Sequence, residues 1–184
     1  MNVYDFDNTI LRGDSTVLFF GYCLLHYPKM WLDIPGQAIN GLMYVLKRKE
    51  KLAFKERMFH FLRSIDDVDK ALEKFWKKQF SRVKPWYIEA HRPDDVVISA
   101  SPEFLVRPAC EKLGILYIMG SPVDKKTGLY SGPNCHGAEK VVRFREKFPD
   151  GYIQDFFSDS YSDTPLAELA VRAWMVKGDN LLPW

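Results

Sequence analysis

Short apolar runs alternate with helix-like segments over residues 93–184, and this alternation constrains the fold more than any other feature of the sequence. Each run is bounded by small, acidic or turn-forming residues, as buried strands commonly are. Strands that alternate with helices pair in parallel through right-handed crossovers, so the order predicts a parallel sheet. The predicted strands span residues 2–6, 95–99, 115–119, 151–157 and 173–176.

Helical segments fill the spaces between these strands. Pro102 opens one such segment, in which the apolar residues share one face, and the segment ends near Gly114. A Lys-Lys-Thr-Gly sequence at 125–128 predicts a hairpin turn within residues 123–130. The predicted helices of this part span residues 102–114, 139–148 and 164–171.

Residues 15–92 have a different pattern. Apolar residues recur at helical spacing and strand-like alternation is absent, so we expect three to five helices, the last of them closed by Pro85. The predicted fold class is therefore α/β, with a Rossmann-like parallel sheet and an all-helical cap inserted after the first strand. The catalytic core would comprise residues 1–14 and 93–184, and the cap residues 15–92.

Composition narrows the class of protein further. The chain has 184 residues, of which 47% are hydrophobic, and this excludes wholesale disorder. Its formal net charge of +2 is too small to favour a nucleic-acid partner. Three scattered cysteines predict free thiols and no zinc site, and the longest apolar run is too short to cross a membrane. We therefore expect a cytoplasmic protein with no obligate protein partner evident, although contact with a membrane surface remains open.

Polar residues gather where the predicted strands end. Asp5 and Asp7 follow the first strand, Ser99 ends the second, and Asp159 follows a later one. Ligands bind at the carboxyl ends of parallel strands, so these side chains and Lys140 should converge. Crowded carboxylates favour a divalent cation, and oxygen ligands favour Mg²⁺. The lysine and hydroxyl groups suit phosphate oxygens. The set predicts phosphoryl transfer through an aspartyl-phosphate.

Four sequence motifs contain these polar residues: DFDNT at 5–9, ISASPE at 98–103, GAEK at 137–140 and SDSYSDTP at 158–165. They resemble the motifs of the haloacid dehalogenase-like superfamily of phosphatases. The fourth motif starts with Ser158, where many members carry glycine. The motifs occur in the family's order, and the insertion point matches the helical-capped branch that includes phosphoserine phosphatases.

The resemblance implies a role for each acid. Asp5 would be the nucleophile and a ligand of Mg²⁺. Asp7 would protonate the leaving oxygen, then activate water, and its backbone carbonyl would bind the metal. Asp159 would be a direct metal ligand. The two acids of the first motif also disfavour true dehalogenation.

The resemblance implies binding and supporting roles for five more residues. Ser99, Ala100 and Lys140 would bind the phosphoryl oxygens. Asp163 would support the metal through water or by orienting Lys140, and it could also cap the helix from residue 164. Thr9 would buttress the loop. Ser101 is the better candidate for capping the helix that follows the second motif, and the four histidines, at 26, 60, 91 and 136, are interpreted as surface or packing residues.

The substrate stays open at this level. Residues 15–92 carry a charge balance of +7 and the remaining residues one of −5, with the densest basic cluster at 47–51. That cluster is either a solvated helix end or a surface that attracts a polyanionic substrate or an anionic membrane. The apolar segments of the cap either pack its core or bind a lipid phosphate, as in relatives that resemble phosphatidylglycerophosphate phosphatases. Asp14 occupies the position where phosphoserine phosphatases carry an acid that meets the substrate amine.

Three functions are therefore compared. The first is a magnesium-dependent phosphatase for a small phosphorylated substrate or a lipid phosphate. The second is a phosphotransferase of the same superfamily, and the third is an idle binding module that docks through its cap. The complete set of Asp5, Asp7, Lys140 and Asp159 favours the enzymes.

Overall fold

The computed structural model describes residues 1–32 and 59–184. A six-stranded sheet in the order β3-β2-β1-β4-β5-β6 forms the centre of the molecule. The first five strands are parallel and β6 pairs with β5 in antiparallel fashion. The predicted α/β class with a mostly parallel sheet is confirmed. The strands are β1 (Val3–Tyr4), β2 (Val96–Pro102), β3 (Tyr117–Ser121), β4 (Ile153–Ser158), β5 (Ala170–Lys177) and β6 (Asn180–Pro183).

Helices cover the sheet. In the described residues they are α1 (Ser15–His26), α2 (Val68–Gln79), α3 (Pro85–Ala90), α4 (Glu103–Lys112), α5 (Ala138–Lys147) and α6 (Thr164–Ala167). Single 3₁₀ turns lie at Pro28–Leu32, His60–Ser64, Phe80–Arg82 and Tyr161–Asp163.

Three sequence predictions need correction. Pro85 does not close a long helix but opens α3, because proline at the first helical position leaves no intrahelical hydrogen bond unmade. The helix predicted at 164–171 ends at Ala167, since the chain from Ala170 joins the sheet. The edge strand β6 was not predicted, and its residues pair with β5 across a turn that contains Gly178.

Two hydrophobic clusters lie on opposite faces of the sheet. Val3 of β1 belongs to one and Tyr4 to the other, as the alternation of side chains along a strand requires. The cluster around Tyr4 includes buried residues of α1, α2 and α4, among them Phe19, Phe75 and Leu105. The described helices of residues 15–92 thus share a core with the sheet. The division into a core and a cap stays a prediction, and the basic cluster at 47–51 lies outside the described residues.

The inserted segment leaves and rejoins the sheet region at one place. Leu11 and Val83 form an isolated antiparallel bridge, and the Arg12 backbone N–H donates to the Arg82 carbonyl at 2.9 Å. We call residues 11–12 and 82–84 the neck. The neck brings the ends of the insertion next to the loop that follows β1.

The predicted hairpin between β3 and α5 is present and touches the insertion. Val123 pairs with Tyr130, and Gly128 adopts a φ of +73° in the turn. A Cβ atom on Gly128 would lie 2.2 Å from the carbonyl oxygen of Phe59, so only glycine fits this contact. Lys125 also pairs with Asp69 of α2 at 2.5 Å.

Two further findings concern the predictions made from the cysteines and from the length of the apolar runs. All three cysteines are buried free thiols. Among the described residues, none of the helices has the length and apolar character needed to cross a membrane.

Candidate active site

A cavity of about 320 Å³ opens at the carboxyl ends of β1, β2 and β4. Most of the predicted acids face it, together with the buried Lys140. Its lining consists of Asp5, Asp7, Asn8, Asp14, Thr16, Val17, Phe59, Ala100, Ser101, Tyr130, His136, Lys140, Asp159, Ser160, Ser162 and Asp163.

Lys140 lies between two carboxylates at the floor of this cavity. Its Nζ donates to Asp5 Oδ1 at 2.6 Å and to Asp163 Oδ2 at 2.7 Å. The Ser158 hydroxyl donates to the same oxygen of Asp163 at 2.8 Å. All four side chains are buried, so the ammonium compensates for charges that water cannot reach. The predicted convergence of Asp5, Lys140 and Asp163 is what the structure shows.

Burial and charge set the protonation of this group. Burial raises the pKa of Asp5 to about 7; the Lys140 charge opposes that shift, while Asp163 and Asp7 add to it. Burial by itself would lower the pKa of Lys140, but Asp5 and Asp163 outweigh it and raise that pKa. Lys140 therefore stays charged, beside an Asp5 carboxyl group that is protonated in part of the molecules near neutral pH.

Asp7 is held by the first residue of α1 and by the end of β2. Its Oδ1 accepts from the Ser15 backbone N–H at 2.6 Å, and its Oδ2 accepts from the Ser101 hydroxyl at 2.5 Å. The Ser99 hydroxyl is farther away, at 3.4 Å from Oδ2. Burial, then the charge of Asp14, raises the pKa of Asp7. A carboxyl fixed at both oxygens and inclined to hold a proton suits acid–base work.

The predicted phosphate-binding residues at the end of β2 divide between the wall and the interior. Ala100 lines the cavity. Ser99 is fully buried and does not line it, and its hydroxyl oxygen accepts from the Ser101 backbone N–H at 3.1 Å. Ser101, expected to cap the following helix, instead contacts Asp7, and Pro102 occupies the capping position without a side-chain bond. Ser99 and Ser101 lie two apart on one strand, so they face the same side. This spacing was the sequence signal from which the position of Ser101 beside Asp7 could have been predicted.

The loop after β1 contains a residue that sequence reasoning missed. Asn8 has a φ of +55°, which is uncommon for a residue with a side chain, and its side chain lies near enough to Asp159 to lower the pKa of that carboxyl. Burial raises the pKa of Asp159. Thr9 is fully buried, and within the described part of the chain its hydroxyl has no hydrogen-bond partner. Thr9 therefore fills the space under the loop rather than bonding to it.

The outer wall of the cavity is partly aromatic. Phe59 and Tyr130 face each other with ring centroids 6.2 Å apart, one from the insertion and one from the hairpin. Asp14 caps α1 by accepting from the Val17 backbone N–H at 2.9 Å, and it is exposed at the rim. His136, interpreted from sequence as a surface or packing residue, is exposed and also lines the cavity.

The donor set fits Mg²⁺ better than a metal held by protein side chains alone. In the ranges 1–32 and 59–184, no group of three His, Cys, Asp or Glu side chains is arranged to hold an ion. Magnesium usually takes one or two carboxylates, several waters and a substrate phosphate. Asp5 and Asp159 on the cavity wall, with the carbonyl of Asp7, offer such a partial, all-oxygen set.

Comparison with known proteins decides the family. The model of the haloacid dehalogenase-like hydrolases matches residues 3–168. The chain belongs to this family. It is 33% identical over 103 residues to a probable phosphatase, Rv3661, of Mycobacterium tuberculosis, and 32% identical over 81 residues to Protein CicA of Caulobacter vibrioides. The matches cover 50% and 41% of this chain, and the matched part spans 36% of each relative, about a third of its length.

Solved structures of other proteins have a similar fold. A protein of unknown function from Bordetella pertussis superposes with a TM-score of 0.75 at 18% identity, over 94% of this chain and 87% of that one. A phosphoserine phosphohydrolase-like protein from Francisella tularensis gives 0.56 at 16% identity, over 94% and 86%. A phosphoserine phosphatase described as a phospho-aspartyl intermediate analogue gives 0.53 at 16% identity, over 93% and 83%. The likeness of fold thus extends across nearly the whole chain.

Proposed function

We propose that this hydrolase removes phosphate from a monoester through a phospho-aspartate on Asp5 and depends on Mg²⁺. The observation that carries the proposal is the buried contact of Lys140 with Asp5 at 2.6 Å, in a cavity that Asp7 and Asp159 also line. A buried cation fixed beside a carboxylate can hold a dianionic phosphoryl group next to that carboxylate.

The first step transfers the phosphoryl group to the protein. A carboxylate oxygen of Asp5 attacks phosphorus, and the bond from phosphorus to the ester oxygen breaks. Asp7 gives its proton to that departing oxygen, which leaves as an alcohol. The raised pKa of Asp7, caused first by its burial, favours the protonated form that this step needs.

The second step releases phosphate. Asp7, now ionised, accepts a proton from water, and the resulting hydroxide oxygen attacks phosphorus. The bond between phosphorus and Asp5 breaks and the free carboxylate returns. Hydrogen bonds from Ser15 and Ser101 keep the Asp7 carboxyl in one orientation for both proton transfers.

The phosphoryl oxygens need donors throughout. Lys140 is the cationic donor, and the backbone at Ala100 is the proposed neutral one, since Ser99 is fully buried and does not line the cavity. Mg²⁺, held by Asp5, Asp159 and the Asp7 carbonyl, would neutralise phosphate charge when bound. Asp163 acts indirectly, because its Oδ2 accepts a hydrogen bond from Lys140 Nζ at 2.7 Å and so holds Lys140 in place.

We also propose that residues 15–92 select the substrate. Phe59 of this segment and Tyr130 of the hairpin contact each other in the cavity wall, so the group attached to the phosphate would lie against this aromatic pair. The segment would select substrates by the size of this group, which differs between a small metabolite and a lipid. A panel of both kinds, assayed at one Mg²⁺ concentration, separates the two.

Replacing Asp5 tests the mechanism directly. Asp5→Asn removes the nucleophile while keeping the shape of the side chain, so hydrolysis of 4-nitrophenyl phosphate should fall below detection. EDTA should inactivate the wild-type protein, and added Mg²⁺ should restore it. Asp150→Asn, an exposed acid remote from the cavity lining, is the matched control and should retain full activity.

Two results would contradict the proposal. Wild-type turnover in Asp5→Asn excludes the phospho-aspartate, and full activity in EDTA excludes the metal. A preference for transfer to added alcohols over water would identify a phosphotransferase with the same first step.

A further inference from the structure

Lys84 is a buried lysine that the proposed mechanism does not use. Its side chain is 2% exposed, and it lies in the neck, immediately before Pro85 of α3. Within the described residues, no carboxylate pairs with it inside the 4.0 Å limit of a salt bridge. Its Nζ donates instead to two backbone carbonyls, those of Asn8 and Gly178. Burial lowers the pKa of Lys84, and the charges of Asp179 and Asp159 oppose that shift from beyond ion-pair distance. A buried ammonium whose hydrogen bonds go to carbonyls is costly, so its retention calls for an explanation.

One of these carbonyls belongs to the catalytic loop. Asn8 stands between Asp7 and Thr9, in the left-handed region that disfavours most side chains. The Asn8 N–H donates to the Gly13 carbonyl at 3.1 Å, while its C=O accepts from Lys84. The peptide groups on both sides of Asn8 are therefore fixed.

Lys84 holds this loop at a second point. Its backbone N–H donates to the Ile10 carbonyl at 2.8 Å, two residues beyond the Asn8 carbonyl that its side chain binds. The same loop displays the Asp7 carboxyl to the cavity and places the Asn8 side chain beside Asp159. A shift of the Asn8 carbonyl would move both site groups.

The second carbonyl belongs to the β5–β6 turn. Gly178 has a φ of +63°, and its carbonyl accepts from Lys84 Nζ at 2.5 Å. The neighbouring Asp179 forms an ion pair with Arg12 of the neck at 2.7 Å. The turn is thus a fixed support that holds the neck from both of its chain segments.

We propose that Lys84 is a positioning residue, which braces the Asp7–Asn8–Thr9 loop against the β5–β6 turn and so aims the acid–base carboxyl of Asp7. The inference rests on the phosphatase function proposed above. It also assigns a role to the antiparallel edge of the sheet, which supplies no residue to the cavity lining. The brace acts through the loop and touches no reacting atom.

The test compares two leaving groups. Phenolate is a stronger base than 4-nitrophenolate, so its departure depends more on a proton from Asp7. Lys84→Met keeps the length of the side chain but removes its donors. We expect kcat/KM to fall about tenfold for phenyl phosphate and about twofold for 4-nitrophenyl phosphate, since a displaced general acid forfeits part of its contribution. Asp7→Asn should show the same selectivity more strongly.

Two controls separate positioning from stability. Lys177→Met removes an exposed lysine beside the same turn and should leave both substrates at wild-type rates. Lys84→Arg keeps the charge and the donors and should restore the ratio of the two substrates. All assays are run well below the midpoint of thermal unfolding of each variant, so loss of folded protein does not enter the ratio.

Equal losses on the two substrates in Lys84→Met, or no loss, overturn the inference. If Lys84→Met does not fold, Lys84→Gln decides by the same ratio, and failure of both to fold also overturns it, because Lys84 would then serve stability. If the wild-type protein hydrolyses neither ester, the proposed function itself fails and this inference with it. If the wild type is active and Lys84→Met keeps the wild-type ratio of kcat/KM for the two esters, only the positioning role of Lys84 is rejected and the proposed function stands.

Discussion

The two ends of the parallel sheet both bury carboxylates, but they partner them differently. At the carboxyl end, Asp5 shares Lys140 with Asp163 and faces a cavity. At the amino end, Asp95 is fully buried just before β2, and it accepts one hydrogen bond from the Arg92 N–H at 2.9 Å. Its other oxygen, Oδ1, lacks a hydrogen-bond partner in the described residues, as does the hydroxyl of Tyr87.

The two ends resemble each other in acidity. Burial raises the pKa of Asp95 to about 6 and that of Asp5 to about 7. A raised carboxyl pKa therefore does not distinguish the functional end of this sheet. The distinguishing feature is a buried cation beside the carboxylate at the edge of a cavity, which is the arrangement that a phosphate group can enter.

Removing the shared cation should have the largest effect. Lys140→Met leaves Asp5 and Asp163 buried without their donor, so we expect the free energy of unfolding to fall by about 3 kcal/mol. Hydrolysis of 4-nitrophenyl phosphate should drop about a hundredfold to a thousandfold, as expected when a donor to the transferred group is lost. Urea unfolding and steady-state kinetics measure the two quantities.

The comparison needs a lysine on the same helix as a control. Lys147 is exposed in the last turn of α5, and Lys147→Met should change neither quantity. Wild-type stability in Lys140→Met would show that the two carboxylates at this end need no cation, which would remove the contrast with Asp95.

Asp95 should produce the next largest effect, and it should depend on pH. Its pKa in the folded state is about 6, against an ordinary value of 3.8, so the folded protein holds this proton more tightly than the unfolded chain. The stabilisation is complete below about pH 4 and is lost as pH rises through about 6. Asp95→Asn does not ionise, so its stability relative to the wild type should rise by about 2 kcal/mol between pH 4 and pH 7.

Urea unfolding at several pH values measures this difference. Asp94→Asn is the matched control, because Asp94 is the adjacent acid and is 62% exposed. If the stability of Asp95→Asn and that of the wild type change with pH in the same way, Asp95 is solvated in solution. The carboxylates at the two ends of the sheet would then differ in burial as well as in their partners.

The smallest effect is expected at Ser158, which refines the description of the carboxyl end. Its hydroxyl donates to Asp163 at 2.8 Å and accepts from the Ser160 N–H at 3.2 Å. Ser158→Ala should lower the free energy of unfolding by about 1 kcal/mol, the usual net contribution of such hydrogen bonds. We expect kcat to change less than about threefold, because Lys140 still holds Asp163.

Ser131→Ala provides the reference for this prediction. Its hydroxyl also donates a hydrogen bond, to the Pro122 carbonyl at 3.3 Å, but it is exposed, so the loss should be below detection. Equal unfolding energies for Ser158→Ala and wild type would show that Asp163 is positioned by Lys140 alone.

The sequence predicts the parts of this molecule that follow a local pattern. Alternation of apolar runs and helices gives the parallel sheet, and the acids at strand ends give the convergence of Asp5, Lys140 and Asp163. These predictions succeed because strand direction and hydrophobic periodicity are local properties with a fixed geometric consequence.

Contacts between distant segments could not be predicted in the same way. Ser15 and Ser101 both bind Asp7, yet nothing in either neighbourhood shows that helix α1 begins against the end of β2. From the sequence, Lys84 is indistinguishable from the surface lysines of a basic segment. Its contact with Asn8 arises only because Leu11 pairs with Val83 in the neck. Strand β6 exists because β5 offers it an edge, a tertiary effect that overrides weak local propensity.

The central position of the two-residue strand β1 has a consequence for synthesis. Val3 pairs with Val96 on one side and with Phe156 on the other. At about 5–20 residues per second, a ribosome takes about 8 to 30 seconds to extend the chain from Val3 to its later partner, Phe156. Asp5 is thus made before the other residues of the cavity, and both strands that flank its own are made after it. A nascent chain therefore carries the proposed nucleophile before its surroundings are complete.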